Sequence, residues 1–102
     1  MGYGLTTIGV TIANAGTAVP LVSGNTWGRG LIVQASEDNT GRVFVGDSNV
    51  DAASGIELSP GKAVQIEIPG APDYTVDLST VYVDTETNNN VVKVAFLTRQ
   101  RT

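Results

Sequence analysis

Between residues 31 and 68 the chain breaks into short stretches of alternating apolar and polar residues, cut at close intervals by Gly, Asn, Asp and Pro. Leu31, Val33 and Ala35 alternate with Ile32 and Gln34, and the stretch stops at the turn cluster Glu37-Asp38-Asn39-Thr40-Gly41. Alternation of period two puts one set of side chains on a buried face and the other in water, and Asn and Gly supply turn conformations that β-branched residues resist. Arg42 to Gly46 reads as the returning strand, with Val43 and Val45 on one face and Phe44 on the other. A polar loop over residues 47–54 holds a lone Val50, and a short strand follows over residues 55–58. Ser59-Pro60-Gly61-Lys62 fits a type II turn, with Pro60 and Gly61 at its central positions. Val64, Ile66 and Ile68 then oppose Gln65 and Glu67, the pattern of a half-buried strand, and Pro69-Gly70-Ala71-Pro72 ends it.

The same pattern extends outward. Residues 78–84 and 91–98 read as a last hairpin joined by residues 85–90, with Val92, Val94 and Phe96 on one face and Val91, Lys93 and Ala95 on the other. At the other end, residues 5–13 form a strand with Ile8, Val10 and Ile12 sharing a face. Residues 19–22 are a short apolar piece in which Pro20 dictates an edge position or a bulge. Residues 23–30 read as a loop with Trp27 inside it. No helical period runs for a useful length, although residues 50–55 have room for one helical turn. The expectation is one all-β domain over residues 1–102, a small antiparallel β-sandwich or jelly-roll-like barrel of about seven to nine short strands. Residues 1–29 carry a single charge, Arg29, and read either as ordinary first strands or as an extended N-terminal arm or edge-strand segment lent to a neighbouring subunit.

Composition narrows the function. Only 16% of the 102 residues are charged, against a usual fraction of about 25%. Six basic against ten acidic residues leave a net charge of −4, opposite to what nucleic acid or an anionic membrane surface requires. There is no cysteine for disulfides, thiolate chemistry or sulfur-ligated metal, and no histidine to act as general base, zinc ligand or near-neutral switch. Ser48 and Ser54 therefore lack an activating imidazole. The Gly2-x-Gly4 and Gly28-x-Gly30 spacings lack the strand-then-helix setting of a phosphate loop. Asp84, Glu86 and Asn88 alternate in a way that offers oxygens to calcium, but the EF-hand spacing does not follow, and a solvated hairpin tip accounts for them. The acids at 37–38, 47 and 51 read the same way, with Asp47 also suited to capping a turn. A carboxylate pair at glycosidase separation is uninformative among ten acids. No enzyme, cofactor or metal is expected. The first residues lack the basic and apolar regions of a signal peptide, and no apolar run approaches the roughly 20 residues of a membrane span, so the expectation is synthesis in the cytoplasm.

Contact residues are the remaining route to function. Tyr3, Leu5, Ile8, Trp27, Arg29, Arg99 and Arg101 are the candidate interface. Trp27 reads as an inter-subunit anchor, as a plug over one end of its own core, or as a ligand platform, and Tyr3, Tyr74 and Tyr82 are further aromatics, with Tyr82 a strand position. The tail Arg99-Gln100-Arg101-Thr102 is basic on an acidic chain and is either frayed in solvent or able to reach an acidic neighbour.

The central block runs through Val33-Gln34-Ala35, the turn Asn39-Thr40-Gly41, the strand end Val43-Phe44-Val45-Gly46-Asp47-Ser48 and the segment Gly55-Ile56-Glu57-Leu58-Ser59-Pro60-Gly61, and the later Val81-Tyr82-Val83-Asp84 fits the same pattern. In their order and tight spacing these motifs resemble small structural proteins of tailed bacteriophages. The resemblance begins at Leu31 and leaves residues 1–29 outside it. The resemblance implies a β-sandwich or jelly-roll virion component with no catalytic residues. It is either a capsid decoration (cement) protein bound across major capsid or other virion subunits as a dimer or trimer, or a tail or fibre module that binds a carbohydrate or receptor.

Overall fold

The computed structural model describes residues 3–24, 26–66 and 76–99. The expected strand end at residues 67–72, Tyr74, Gln100 and Arg101 lie outside the described residues, as do the side chains of Tyr3 and Arg99. The described residues form nine strands: β1 Tyr3–Ile12, β2 Val19–Pro20, β3 Trp27–Ala35, β4 Val43–Gly46, β5 Ile56–Leu58, β6 Ala63–Ile66, β7 Val76–Asp77, β8 Tyr82–Thr85 and β9 Asn90–Arg99. One 3-10 turn, Leu78–Thr80, precedes β8. The larger sheet runs β1-β9-β3-β6, with β7 added to β3, and the smaller runs β2-β8-β4-β5. Every pairing is antiparallel. Two such sheets facing each other make a β-sandwich, and with the two-residue β7 set aside the strand order is that of a jelly roll.

The core is the layer between the sheets. Leu31, Val33 and Ala35 of β3 and Val92, Val94 and Phe96 of β9 face Val43 and Val45 of β4, Leu58 of β5 and Val83 of β8, all buried. Ile12, Leu21 and Leu78 close the ends, and Ile8, Val10, Val64 and Ile66 pack on the margin. These are the alternating sets expected from the sequence. Pro20 sits in an edge strand, as its missing N–H requires. The turn at residues 59–62 closes with the Lys62 N–H on the Ser59 carbonyl at 2.9 Å, and Gly61 has φ +85°, the left-handed value that a type II turn demands.

Three sequence expectations change. Residues 78–84 and 91–98 do not form a hairpin, because β8 belongs to the smaller sheet and β9 to the larger. Likewise β4 does not return along β3 but crosses to the opposite sheet and pairs with β5 and β8. The cause is the polar content of the connections. Asn90, 2% exposed, accepts from the Thr40 N–H through Oδ1, and its Nδ2 donates to the Gly41 carbonyl and to the hydroxyls of Thr85 and Thr87. Asn39 pairs with the backbone of Val91 in both directions, at 2.8 and 2.9 Å. Asn89 takes φ +65° and donates its N–H to the Ile12 carbonyl, turning the chain across the sandwich. Side chains thus join the β3–β4 and β8–β9 connections where a hairpin ladder was expected.

The second change is at residues 23–30, where the loop ends early and Trp27 opens β3. Gly28 faces inward, where a Cβ would stand 2.8 Å from Phe96 Cδ2, and a bulge between Arg29 and Ile32 then resets the register. Gly30, at φ +62°, supplies the left-handed residue of that bulge, so Leu31 also faces the core. Third, residues 78–80, which read as the start of a strand, form the 3-10 turn, with the Val81 N–H on the Leu78 carbonyl. Phe44 lies on the face opposite Val43 and Val45, as the alternation predicts, and is buried there because residues 50–55 fold back beside it. The lone Val50 is the plug, and Gly46 and Gly55 have no room for side chains against it.

Replacing Asn90 with Asp keeps the shape and the acceptor but removes both N–H groups, leaving the buried Gly41 carbonyl without its donor. We expect a loss of about 2–3 kcal/mol at neutral pH, read from urea unfolding. An unchanged urea midpoint would show that this amide does not hold the crossing.

Candidate functional site

The outer face of the larger sheet carries most of the exposed apolar side chains. Cross-strand register arranges it in rows. Leu5, Leu97 and Arg29 form one row, Thr7, Ala95 and Ile32 the next, and Gly9, Lys93 and Gln34 the third. Residues alternate along each strand, so Leu5, Thr7, Gly9 and Thr11 look outward while Ile8, Val10 and Ile12 look inward. The small residues Gly9 and Ala95 leave a hollow, and Thr7, Ile32, Gln34 and Lys93 stand around it to give an open concavity of about 440 Å³. Leu5 is 70% exposed, Trp27 58% and Ile32 41%.

The candidate interface residues therefore divide. Leu5, Trp27 and Arg29 lie on this outer face. Ile8 borders the concavity, but its side chain is out of phase with Leu5 and packs against the core from β1. Tyr3 and Arg99 are backbone partners at the end of the β1–β9 ladder, and Arg101 lies outside the described residues. Ile32, Gly9 and Ala95 are the members that sequence reasoning passed over. Ile32 looked like the polar side of a strand with an apolar residue in it, and only the neighbouring strands reveal that Gly9 and Ala95 make room beside it.

Asp84, Glu86 and Asn88, which read as a solvated hairpin tip, do structural work, and Asp84 is buried. Asp84, 3% exposed, accepts from the Gly16 and Thr85 N–H groups, and Asn88 accepts from the Ala15 N–H. Glu86 receives the Arg42 guanidinium at 3.1 Å and its backbone N–H at 2.7 Å, and Arg42 also reaches Glu57 at 3.2 Å. The Arg42 side chain and backbone hold the Glu86 carboxyl below its ordinary range. Asp47 accepts from the Asn49 N–H, and Asp51 from the Ala53 and Ser54 N–H groups and the Ser54 hydroxyl, the geometry of capped turns. What the outer face offers is contact: apolar area, one ammonium group and two or three hydrogen-bonding side chains around a hollow.

Asp77 positions the Trp27 end of that face. Its carboxylate accepts from the Ser79 hydroxyl at 2.7 Å, the Ser79 N–H at 3.0 Å and the Thr26 N–H at 3.2 Å, while β7 pairs Asp77 with Trp27. The Ser79 hydroxyl is the main cause of a lowered Asp77 pKa, with desolvation opposing it and the two N–H groups adding to it. A carboxyl lowered in the fold binds fewer protons there than in the unfolded chain. Its stabilisation is complete above the ordinary carboxylate range, about pH 4, and is lost as pH falls through the folded value. We expect the urea midpoint to fall on acidification below about pH 4, and Asp77→Asn to make that fall shallower. Identical acid limbs for the two proteins would remove Asp77 from this role.

The chain matches no known protein-family model, and no curated protein matches it at significant similarity.

Proposed function

We propose that this chain is a non-enzymatic structural component of a tailed-phage virion, a capsid decoration protein that docks through the outer face of its larger sheet across neighbouring capsid subunits. The observation that carries the reading is the inequality of the two outer faces. On the smaller sheet Phe44 is buried beside the 50–55 loop, and the exposed Ile56 lies at the β5 edge in register with the inward Val45, whereas on the outer face of the larger sheet Leu5, Trp27 and Ile32 stay uncovered, Ile32 beside the hollow. A monomer gains nothing from leaving them in water, and each 100 Å² of apolar surface buried on docking contributes about 2.5 kcal/mol before the costs of association. The central-block resemblance to phage structural proteins supplies the class of partner, a major capsid or other virion protein. Made in the host cytoplasm and incorporated into the virion, the protein would stabilise the shell by mass action, binding the assembled state and not its separated subunits.

A tail or fibre module that binds a carbohydrate or receptor is the second reading, and the exposure of Trp27 favours it, since an indole offers a large flat apolar face with a polar N–H at its rim.

The test uses phage shells lacking this chain, with purified protein added back. Gly9→Phe fills the hollow, and a Cβ at Gly9 meets nothing within 4 Å, so the fold should tolerate it. Ile32→Glu places a charge on the same face. Both variants should keep the wild-type circular dichroism, lose about tenfold or more in shell binding measured by co-sedimentation, and fail to protect shells against heat. Wild-type affinity in both variants sinks the face as the docking surface. Shells that need no protection, from particles that adsorb poorly to cells, point instead to the receptor role.

A further inference from the structure

Strands β1, β2, β5 and β6 end the two sheets, and three of them are poor templates for another strand. β2 has two residues, one of them Pro20; β5 has three, with Glu57 in the middle; β6 has four as described, preceded by Lys62. Short length, proline and charge are the usual protections of an edge. β1 has none of them. It is ten residues long, YGLTTIGVTI, without a charge or a proline, and among the described residues no strand pairs with its outer side. In an antiparallel ladder alternate residues direct their N–H and C=O to opposite sides, so roughly half of the β1 backbone groups point away from β9.

A second observation lies on the inner face of the same strand. Ile8 and Val10 pack on the core yet remain half-buried, and among the described residues no strand lies beyond β1 to cover that margin. We propose that β1 pairs antiparallel with β1 of a second copy about a twofold axis, joining the two larger sheets into one. Residues opposed in an antiparallel pair share a face, so the register must set inward residues against inward ones. Placing Ile8 against Ile8 of the second copy does this. It also sets Thr6 against Val10 and Leu5 against Thr11, continues the apolar layer across the axis, and brings no charged pair together. The twofold arrangement is closed, so it yields a dimer and not a filament. It goes beyond the virion reading and uses the edge of the sheet, leaving the hollow on its outer face open.

Sedimentation equilibrium of the full chain at about 50 μM should give a dimer in the absence of any shell. Leu5 and Thr11 are both exposed, and Leu5→Lys with Thr11→Lys puts ammonium groups opposite each other across the axis. That double variant should sediment as a monomer, with its dissociation constant raised at least about tenfold and its circular dichroism unchanged. Because the chain has no cysteine, Leu5→Cys with Thr11→Cys gives an independent reading, a covalent dimer on mild oxidation. Ile32→Glu should leave the dimer intact. A monomeric wild type, a double-lysine variant that still dimerises, or a cysteine pair that does not cross-link each overturns the proposal. So does dissociation by Ile32→Glu, which would place the contact on the sheet face. None of these readouts involves a shell, so a failure here is distinguishable from a failure of the decoration reading.

Discussion

Asn90 sets a fully hydrogen-bonded amide between the β3–β4 and β8–β9 connections, and much of the sandwich depends on it. In this strand order only β4 and β5 are joined as a hairpin within one sheet; nearly every other step carries the chain from one layer to the other. A hairpin holds its own ends together through the backbone ladder, whereas a crossing has no ladder and must be tied by something else. Here the ties are short polar side chains reaching main-chain groups: Asn90 to Thr40 and Gly41, Asn39 to Val91, Asp84 to Gly16, Asn88 to Ala15. A buried amide left without partners would favour a different path, so these bonds specify the topology as well as stabilise it.

The longest-range organiser is β3. It pairs with β9 on one side and with β6 and β7 on the other, and its bulge at Gly30 lets one strand serve two registers. Upstream of the bulge, Gly28 admits Phe96 and Leu78 to the core; downstream, Leu31, Val33 and Ala35 fill it. The same shift leaves Arg29 on the outer face in the row of Leu97 and Leu5, with the exposed Trp27 two residues before it. Core packing and the composition of the exposed face are therefore set by one inserted residue.

Much of this was legible in the residue order. The inward sets Leu31-Val33-Ala35, Val92-Val94-Phe96 and Ile8-Val10-Ile12 follow from period two, and the turn at 59–62 follows from Pro-Gly chemistry. Strand partners were not legible, because an alternating strand looks the same whether the next one lies beside it or across from it. The tell-tale was Thr85 and Asn90, polar residues at the ends of apolar runs, which looked like a solvated loop until their burial was known. The candidate site was half legible. Leu5, Trp27 and Arg29 stand out as unusual residues, while Ile8 shares a face with Val10 and Ile12 by its own alternation, and that face is the inward one. The hollow at Gly9 and Ala95 depends on three strands distant in sequence, and no single stretch encodes it.

The loop folded over Phe44 has a consequence for geometry at the scale of an assembly. Asp47 and Asp51 hold its turns, Val50 pins its middle, and Ser48 and Asn49 stand in solvent on the side of the sandwich away from the hollow. A module attached by its larger sheet would present this loop outward at every site it occupies. The exposed groups of Ser48 and Asn49 would then recur over the assembly as a regular polar array, each held at a fixed height by the turn and the plug beneath it.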